Sequence, residues 1–344
     1  MPDSRHVKVL VAGGAGYIGS TVASALSDIG HEPVILDNLV TGRREFAAGR
    51  PFYEGDIADG ELVDRVFADH PDIAAVLHFA ALIVVPESVA DPLRYYHENV
   101  AKSIQFCQSL LRNGCTRLVF SSSASIYGPS DDFTVDEQSP LEPQSPYART
   151  KAVLETVLAD VAAGTSLQVI SLRYFNPIGS DPSLRTGLQI PEPSHALGKM
   201  LQARRDGTPF NVTGTDWPTR DGTGIRDYIH VWDLARAHVE ALERFDDVVG
   251  KAGADGSLVI NLGTGTGTTV RELVDALGAV VGEELPTVDA PPRPGDVAGC
   301  YTRSARAREL LGWQAQLSIE EGIRDTLRWF EVREERLDNL APSA

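Results

Sequence analysis

Alternation between apolar runs and helical stretches constrains the fold of this chain more than any other sequence feature. Apolar, β-branched runs of strand length lie at 7–13, 33–37, 74–80, 117–123 and 167–174. Stretches with helical periodicity separate them at 20–30, 60–70 and 92–114. Near-continuous apolar strands that alternate with helices are typical of a parallel sheet covered on both faces. The sequence therefore predicts an α/β fold with a doubly wound parallel sheet of the Rossmann type.

A glycine-rich turn follows the first apolar run directly. Gly13, Gly16 and Gly19 have the spacing GxxGxxG in GGAGYIG, where a strand ends and a helix begins. Glycines at these positions allow a tight turn and a close approach of the backbone to a pyrophosphate. Asp37 ends the second apolar run, where a carboxylate can hold a ribose 2′-hydroxyl, and no arginine occupies that strand end. The pattern predicts NAD rather than NADP as the cofactor.

The chain changes character after about residue 175, where proline, glycine and threonine become more frequent. A strand-like segment returns at 258–263, and helical segments follow it. We therefore expect an NAD-binding Rossmann domain at 1–175, with return elements at about 229–263. The segments 176–228 and 264–338 are expected to form a smaller, interleaved C-terminal lobe that binds the substrate.

Charge and cysteine content disfavour several classes of function. The formal net charge is −17 and the sequence pI is about 4.9, which argues against nucleic acid or an anionic membrane as a partner. Local arginines or helix N-termini must then hold any anionic substrate. Cys107, Cys115 and Cys300 have no metal-ligand spacing, so no metal is predicted, and they suit a reducing cytoplasm. No apolar run reaches membrane-spanning length.

The stretch QSPYARTK at 144–151 places a tyrosine four positions before a lysine. Ser145 is a good N-cap and Pro146 suits the first helical position, so Tyr147 and Lys151 should share one helix face. A nearby ammonium and the positive end of the helix dipole both favour the phenolate. The spacing predicts a tyrosine that acts as a general base, although a half-buried tyrosine beside a solvated lysine would have the same pattern.

Several motifs occur in a characteristic order along the chain. They are GGAGYIG, SSSASIYG (121–128), the YxxxK of 147–151, RYFNPIGSDP (173–182), DGTGIRDYIHVWDLARAH (221–238) and INLGTGTG (260–267). Together they resemble the UDP-glucose 4-epimerases, also called UDP-galactose 4-epimerases, of the extended short-chain dehydrogenase/reductase family. The resemblance extends from about residue 7 to residue 330. It implies a cytoplasmic, NAD-dependent homodimer that inverts C4 of a UDP-hexose, with the smaller lobe binding the nucleotide sugar.

The resemblance also implies roles for individual residues. Tyr147 matches the catalytic base, Lys151 its modulator and nicotinamide-ribose ligand, and Ser123 the hydroxyl that bonds the reacting sugar oxygen. Asp56 and Ile57 match positions that receive the adenine. The full set of matching cofactor positions comprises Gly13, Gly16, Tyr17, Ile18, Gly19, Asp37, Asn38, Asp56, Ile57, Phe79, Ala80, Ala81, Asn99, Tyr147, Lys151 and Tyr174.

The substrate positions implied by the resemblance lie in the second half of the chain. Asn176 matches an asparagine on the diphosphate, Arg226 and Arg293 match arginines on the diphosphate, and Asp296 matches a carboxylate on the uridine ribose. Cys300 falls where a side chain walls the pocket near the 2-substituent of the sugar. A small residue there predicts that UDP-GlcNAc and UDP-GalNAc are accepted as well as UDP-glucose and UDP-galactose. Alternatively, Cys300 is an ordinary buried thiol and a neighbouring loop fills the space.

The chain departs from the family pattern at three places. Ala12 stands where threonine is frequent, and Ile83 stands where a lysine commonly follows the strand end. The stretch 190–200 lacks an Asn-Leu pair that usually contacts the diphosphate, and Ser194 or His195 is the candidate to replace it. One cofactor hydrogen bond and part of the uridine selectivity are therefore expected to differ.

Three alternatives differ from this interpretation in their chemistry. A 4,6-dehydratase of the same fold is expected to have Asp-Glu beside its first hydroxyl residue, whereas Ser123 is followed by Ala-Ser-Ile with no carboxylate until Asp131. A UDP-uronic acid 4-epimerase, or another NAD-dependent enzyme that modifies nucleotide sugars, is expected to have the same catalytic residues. This alternative stays open. A catalytically silent NAD-sensing protein is disfavoured, because a sensor does not need Ser123, Tyr147 and Lys151 together.

The predicted homodimer would use the helices at 92–113 and 147–162. Their apolar positions at helical spacing are Ile104, Cys107, Leu111, Leu154, Val157, Leu158 and Val161. In the family such helices pair across a two-fold axis. The alternative is that these faces pack wholly against their own sheet.

Overall fold

The computed structural model describes residues 6–191, 193, 195–251, 255–293 and 296–337. Its strands, in chain order, are β1 (Lys8–Ala12), β2 (Glu32–Asp37), β3 (Phe52–Glu54), β4 (Ile73–His78), β5 (Arg117–Ser121), β6 (Thr134–Val135), β7 (Gln168–Tyr174), β8 (Asn176–Ile178), β9 (Phe210–Thr213), β10 (Ile225–Arg226), β11 (Tyr228–His230), β12 (Ser257–Leu262), β13 (Thr268–Thr269), β14 (Thr287–Ala290) and β15 (Tyr301–Thr302).

The helices alternate with the strands through the first half and dominate the C-terminal part. They are α1 (Tyr17–Asp28), α2 (Gly60–Asp69), α3 (Val85–Ala90), α4 (Pro92–Tyr95), α5 (Lys102–Arg112), α6 (Pro146–Gly164), α7 (Ala196–Asp206), α8 (Val231–Glu243), α9 (Phe245–Lys251), α10 (Val270–Val281), α11 (Ala305–Leu311) and α12 (Ile319–Arg336). None of the helices in the described ranges is both long enough and apolar enough to cross a membrane.

A seven-stranded parallel sheet forms the centre of the molecule, in the order β12-β7-β5-β4-β1-β2-β3. The doubly wound parallel fold predicted from the apolar runs is confirmed. Strand order reverses between β1 and β4, because β2 and β3 extend the sheet on one side and β5 and β7 on the other. In open α/β sheets, ligands bind in the crevice at the carboxyl ends of the strands where the order reverses.

Two apolar layers cover this sheet, as near-continuous apolar strands require. One layer packs α1, α8 and α11 against the sheet, around Val11, Leu26 and Leu234. The other packs α2, α5 and α6 against the opposite face, around Leu10, Phe106 and Leu158. A separate cluster joins α7, α10 and α12 to the small parallel pair of β9 and β14.

The sequence prediction missed two features of the main sheet and its helices. Strand β3 is only three residues long and half exposed, so it lacks the apolar run that marks the other strands. The helix expected at 92–114 is divided into α4, a π-helical turn at Tyr96–Ala101 and α5. The wider turn directs Asn99 inward, where its side chain is 2% exposed.

The chain returns to the sheet through β12, which pairs with β7 after the intervening residues have formed smaller sheets. β7 ends at Tyr174 and β12 ends at Leu262. The division into residues 1–175 with return elements at about 229–263, and residues 176–228 and 264–338, remains a prediction. Residues 1–5 and residue 338 of these segments lie outside the described residues.

Most of the apolar positions predicted to form a dimer contact are used within the protein. Cys107, Leu154 and Leu158 are buried in the core beneath the sheet. Leu111, Val157 and Val161 are partly buried and pack against the same core. Ile104 is also only partly buried, so four of the seven predicted positions keep some exposed surface, and the dimer contact remains a prediction.

Candidate active site

The glycine turn lies at the carboxyl end of β1, in the crevice where strand order reverses. Gly13 has a φ of +79°, and a Cβ atom there would lie 2.5 Å from the backbone nitrogen of Ala80. A Cβ atom on Gly19 would lie 2.3 Å from the carbonyl oxygen of Gly13. The backbone of the turn is therefore packed directly against the end of β4 and the start of α1, and side chains are excluded.

Helix α1 begins at this turn without a capping side chain. Gly16 is its N-cap, and its first turn contains no acidic residue. The first N–H groups of a helix have no partner within the helix, and together with the helix dipole they attract an anion. A dinucleotide pyrophosphate fits this cradle. Tyr17 and Ile18, two predicted cofactor residues, lie half-buried in this first turn, and the Tyr17 hydroxyl donates to the carbonyl of Gly179 (2.6 Å).

Asp37 lies at the end of β2 and braces the glycine turn. Its carboxylate accepts hydrogen bonds from the backbone nitrogens of Ala15 (2.9 Å) and Leu39 (2.8 Å). Burial raises the pKa of this carboxyl, and the two backbone hydrogen bonds oppose that rise. The contact of Asp37 with a ribose remains a prediction, because both of its carboxylate oxygens already accept hydrogen bonds from backbone nitrogens.

Asp56, a predicted adenine-side residue, belongs to a small ionic cluster with Lys102. The Lys102 ammonium is 2.6 Å from Asp56 and 2.7 Å from Glu98, while Asn38 donates to Asp56 at 3.3 Å. Burial raises the pKa of Asp56, but the ammonium and the other hydrogen bonds bring it below its usual value. Lys102 was not predicted. The signal in the sequence was its position four residues after Glu98, a spacing at which two opposite charges on a helix can pair.

The remaining predicted cofactor positions on this side differ in exposure. Ile57 is buried in the core, whereas Phe79, Ala80 and Ala81 are half-buried at the end of β4. Asn99 uses its side-chain amide to hold the next segment: it accepts from the backbone nitrogen of Leu82 (2.8 Å) and donates to the Leu82 carbonyl (2.9 Å). Asn99 thus shapes the strand-end segment, and a direct cofactor contact by any of these residues stays a prediction.

Helix α6 begins as the sequence predicted. The Ser145 hydroxyl accepts a hydrogen bond from the backbone nitrogen of Ala148, and Pro146 occupies the first helical position. Tyr147 and Lys151 follow one turn apart, and the Lys151 ammonium donates to the carbonyl of Ser121 at the end of β5 (2.8 Å). The predicted triad residues therefore meet where β5 ends.

Ser123 lies two residues beyond this strand end. It is the N-cap of a short 3-10 helix at Ala124–Ile126, and its hydroxyl accepts from the backbone nitrogen of Ser125. The Ser123 side chain lowers the pKa of the Tyr147 phenol. The structure brings Ser123, Tyr147 and Lys151 together.

Burial dominates the electrostatics of the triad. Burial raises the pKa of the Tyr147 phenol, and the Ser123 side chain only partly offsets this. Burial lowers the pKa of Lys151 to about 7, and the Glu155 carboxylate acts in the opposite direction. Burial, which penalises the charged forms of both groups, is the largest influence on each pKa, and the role of Lys151 in lowering the pKa of the phenol remains a prediction.

Behind the triad lies a buried ion pair that the sequence analysis did not find. Arg173 and Glu155 approach to 2.6 Å, with side chains 5% and 8% exposed. Tyr174, a predicted cofactor residue beside Arg173, is 8% exposed and hydrogen-bonds Ser121. Glu155 comes four residues after Lys151, and Arg173 opens the RYFNP motif, so the residue types were visible but their pairing was not.

The predicted substrate residues occupy one side of the site but are not all free. Asn176 is half-buried in β8. Arg226 donates to the carbonyls of Ala298 (2.7 Å) and Val297 (3.1 Å), so it holds the segment before Cys300. His195 caps α7 by accepting from the backbone nitrogen of Gly198, and its substitution for the missing Asn-Leu pair remains a prediction. Ser194, the other candidate, lies outside the described residues.

Arg293 and Asp296 are paired with each other on the surface. The Arg293 guanidinium lies 3.2 Å from both carboxylate oxygens of Asp296, and the Arg293 side chain is 59% exposed. Solvent-exposed pairs of this kind contribute little to stability and exchange partners easily. A contact with diphosphate or ribose remains a prediction for both. Pro294 and Gly295, between them, lie outside the described residues.

Asp227, next to Arg226 in the RDY motif, organises the substrate side from within. Its side chain is fully buried and accepts hydrogen bonds from the backbone and hydroxyl of Thr264, at 2.9 and 2.7 Å. Burial raises the pKa of this carboxyl to about 6. No set of three or more His, Cys, Asp or Glu side chains within the described ranges could hold a metal ion.

Comparisons with known proteins identify the family of this chain. Residues 9–263 match the NAD dependent epimerase/dehydratase family. The UDP-glucose 4-epimerase of Bacillus subtilis (strain 168) is 44% identical over 340 residues, covering 93% of this chain and 96% of that protein. The UDP-glucose 4-epimerase of Azospirillum brasilense is 46% identical over 327 residues, covering 94% and 91%.

A solved structure extends the similarity to three dimensions. The UDP-glucose-4-epimerase of Stenotrophomonas maltophila, with bound NAD and formylated UDP-arabinopyranose, has a TM-score of 0.89 at 38% identity. The match covers 96% of this chain and 99% of that chain. The family match, the full-length relatives and the shared fold lead to one conclusion: the chain belongs to the NAD dependent epimerase/dehydratase family.

Proposed function

We propose that this enzyme inverts the configuration at C4 of a UDP-hexose, with NAD as its cofactor. The observation that carries the proposal is the meeting of Ser123, Tyr147 and Lys151 at the end of β5, beside the glycine turn. Relatives at 44% and 46% identity are UDP-glucose 4-epimerases, which supports a UDP-hexose as substrate.

NAD fits the residues present at the predicted cofactor site. The cradle formed by Gly13, Gly16 and the uncapped start of α1 excludes side chains and presents backbone N–H groups, as a pyrophosphate requires. Lys151 would hold the nicotinamide ribose. The bound cofactor supplies the hydride acceptor and, in the return step, the hydride donor.

The chemistry of this chain's own residues concerns one proton and the orientation of the sugar. Tyr147 takes the proton from the sugar 4-hydroxyl as the C4 hydride leaves, and Ser123 holds that oxygen by a hydrogen bond. The resulting 4-keto sugar turns within the site while its nucleotide stays anchored through Asn176 and Arg226. Tyr147 then returns the proton as the hydride re-enters at the opposite face. The cycle is redox-neutral overall.

The test is whether purified protein converts UDP-galactose to UDP-glucose without added cofactor. We expect turnover, with NAD released into the supernatant when the protein is denatured. A protein that binds NAD but turns over neither UDP-galactose nor the corresponding UDP-uronic acid would be a sensor. Conversion of the uronic acid alone would establish the uronic acid epimerase instead.

The range of sugars depends, in this proposal, on the wall formed by Cys300. Cys300 is half-buried and packs with Phe175 against a small cluster of Ala124, Tyr127 and Val135. Burial raises the pKa of its thiol to about 11, so it remains an inert, neutral side chain at neutral pH. A thiol leaves room that a phenol ring would fill, and the 2-acetamido group of UDP-GlcNAc is proposed to enter there.

Replacement Cys300→Tyr is therefore expected to abolish epimerisation of UDP-GlcNAc by steric exclusion and to spare most activity on UDP-glucose. The measurement is kcat/KM for both sugars in both proteins. Cys300→Ala is the matched control, because it removes the thiol without adding volume and should keep both activities. Wild-type protein that ignores UDP-GlcNAc while epimerising UDP-glucose well would show that the gate assignment is wrong.

We also propose a homodimer, in which exposed apolar residues on and beside the predicted helices form part of the contact. Large apolar side chains are exposed at Ile83 (57%), Val89 (54%), Leu93 (81%) and Val153 (41%), on or beside α3, α4 and α6. Helices α3 and α4 both pack against α6, so these residues belong to one helical group. Exposed apolar residues grouped in this way are typical of a protein interface.

Light scattering at micromolar concentration should give twice the monomer mass, and Leu93→Glu should return the mass to that of the monomer.

A further inference from the structure

The serine run at the end of β5 faces a stripe of three residues on α6. Tyr147, Lys151 and Glu155 follow one another at intervals of four, so they lie on one helix face. Lys151 and Glu155 each hydrogen-bond one residue of the run 121–123, and the Ser123 side chain lowers the pKa of Tyr147. The strand end and the helix therefore meet at three successive points, and only two of the three helix residues have a proposed chemical role.

Glu155 forms the innermost of the three contacts. Its carboxylate accepts a hydrogen bond from the Ser122 hydroxyl and two from the Arg173 guanidinium, at 2.9 and 2.6 Å. Arg173 in turn donates to the Tyr127 hydroxyl at 2.8 Å, and this hydroxyl donates to the side-chain oxygen of Asn261 at 2.6 Å. The carboxylate is thus fixed between β5 and β7 by a fully bonded polar chain, as a buried charge requires.

The charged groups around Lys151 leave Glu155 as its one electrostatic support among the described residues. His78, on β4, is neutral because burial lowers its pKa to about 3. Burial also raises the pKa of Tyr147, which disfavours a negative charge on its phenol. Burial lowers the pKa of Lys151 to about 7, and Glu155 is the group that opposes this. Phe120, on β5, contributes only its ring face, 4.9 Å from the ammonium.

We propose that Glu155 is a positioning residue for this site: held by Ser122 and Arg173, it keeps Lys151 as an ammonium against the carbonyl of Ser121, ready for the cofactor ribose. The proposal rests on the proposed function only for the assignment of Lys151 to the cofactor. In a merely structural ion pair, loss of Glu155 and loss of Arg173 would have the same effect. If Glu155 acts on Lys151, loss of the carboxylate should lower the pKa of Lys151, whereas loss of the guanidinium should not.

The test compares Glu155→Gln with Arg173→Gln, which break the same ion pair from opposite sides. The dissociation constant of NADH, followed by nicotinamide fluorescence on protein freed of its bound NAD, is measured between about pH 6 and pH 10. Binding should weaken as pH rises through the pKa of Lys151. Without the carboxylate that pKa falls, so in Glu155→Gln the weakening should begin about one pH unit lower or more, a tenfold effect in affinity within that window. In Arg173→Gln the carboxylate remains, and the weakening should not move to lower pH.

The outcomes separate a positioning role from a structural one. Breaking a buried pair from one side can prevent folding, so the double variant Glu155→Gln/Arg173→Gln, which leaves no buried charge unpaired, is measured in parallel. It should also show the shift to lower pH. Identical pH profiles in wild type and the carboxylate-free variants, or equal shifts in Glu155→Gln and Arg173→Gln, would overturn the proposal.

Lys151→Met serves as the reference, because it removes the ammonium and keeps a chain of similar length. It should weaken NADH binding at neutral pH and remove the pH dependence. Unchanged binding in Lys151→Met would overturn both the role of Lys151 and that of Glu155. Failure to turn over UDP-galactose, with the predicted NADH profiles intact, would count against the proposed substrate and leave the role of Glu155 standing.

Discussion

Replacement of Tyr147 by phenylalanine is expected to lower kcat on the order of 100-fold or more while UDP binding stays nearly intact. Phenylalanine keeps the ring on α6 but removes the hydroxyl that is proposed to take the proton. Loss of a general base typically costs this much, and the cost falls on the transition state rather than on nucleotide binding. Steady-state formation of UDP-glucose from UDP-galactose and calorimetric titration with UDP measure the two effects separately.

A suitable control is Tyr53→Phe. The Tyr53 hydroxyl donates to Asp69 (2.7 Å) at the far edge of β3, away from the triad. This variant removes the same atom from a tyrosine that has no proposed part in the reaction, and kcat should stay at the wild-type value. A Tyr147→Phe enzyme with near wild-type kcat would exclude Tyr147 as the base.

Replacement of Gly13 by alanine is expected to have the second large effect, on stability and cofactor retention together. The new Cβ would lie 2.5 Å from the nitrogen and 2.8 Å from the Cα of Ala80, and backbone atoms of a buried strand end cannot move aside cheaply. Strain at positive φ costs about 1–3 kcal/mol and overpacking about 1–3 kcal/mol, so the free energy of unfolding should fall by about 2–6 kcal/mol. Thermal unfolding and the NAD content of the purified protein measure the outcome.

Gly49→Ala isolates the contribution of the clash. Gly49 has nearly the same φ, +76°, but a Cβ atom there would have no heavy atom within 4 Å. It should lose only the strain energy and retain its full NAD content. Equal losses of melting temperature and NAD in the two variants would show that the close packing of the turn on β4 is unimportant.

Sequence reasoning located the parts of the site that depend on local spacing. Tyr147 and Lys151 could be found because their separation matches one helical turn and Ser145 marks the helix start. The glycine turn could be found because its glycines follow a strand directly. Both are properties of short segments, and neighbouring residues in the sequence determine them.

The features that were missed or mistaken depend on contacts between distant segments. Glu155 and Arg173 are visible as residue types, but their pairing requires the register of α6 against β7. The effect of burial on the pKa values of Tyr147 and Lys151 was missed, because it depends on the packing of α6 and not on the local charges. Asn99 lies inside the protein because a π-helical turn widens the helix there, and no simple periodicity reveals such a turn.

The late return of β12 to the sheet has a consequence for the order in which the parts of the protein fold. Strands β1 to β5 and β7 can pair as the chain leaves the ribosome, but β12 closes a much longer loop, since Ser257 pairs with Val169. Until then β7 has an open edge. β12 also delivers Asn261 to Tyr127, so the polar chain behind Lys151 is complete only after that strand docks. Pulse-labelled hydrogen exchange on a synchronised refolding chain should therefore find protection at β12 and the ability to bind NADH arriving together.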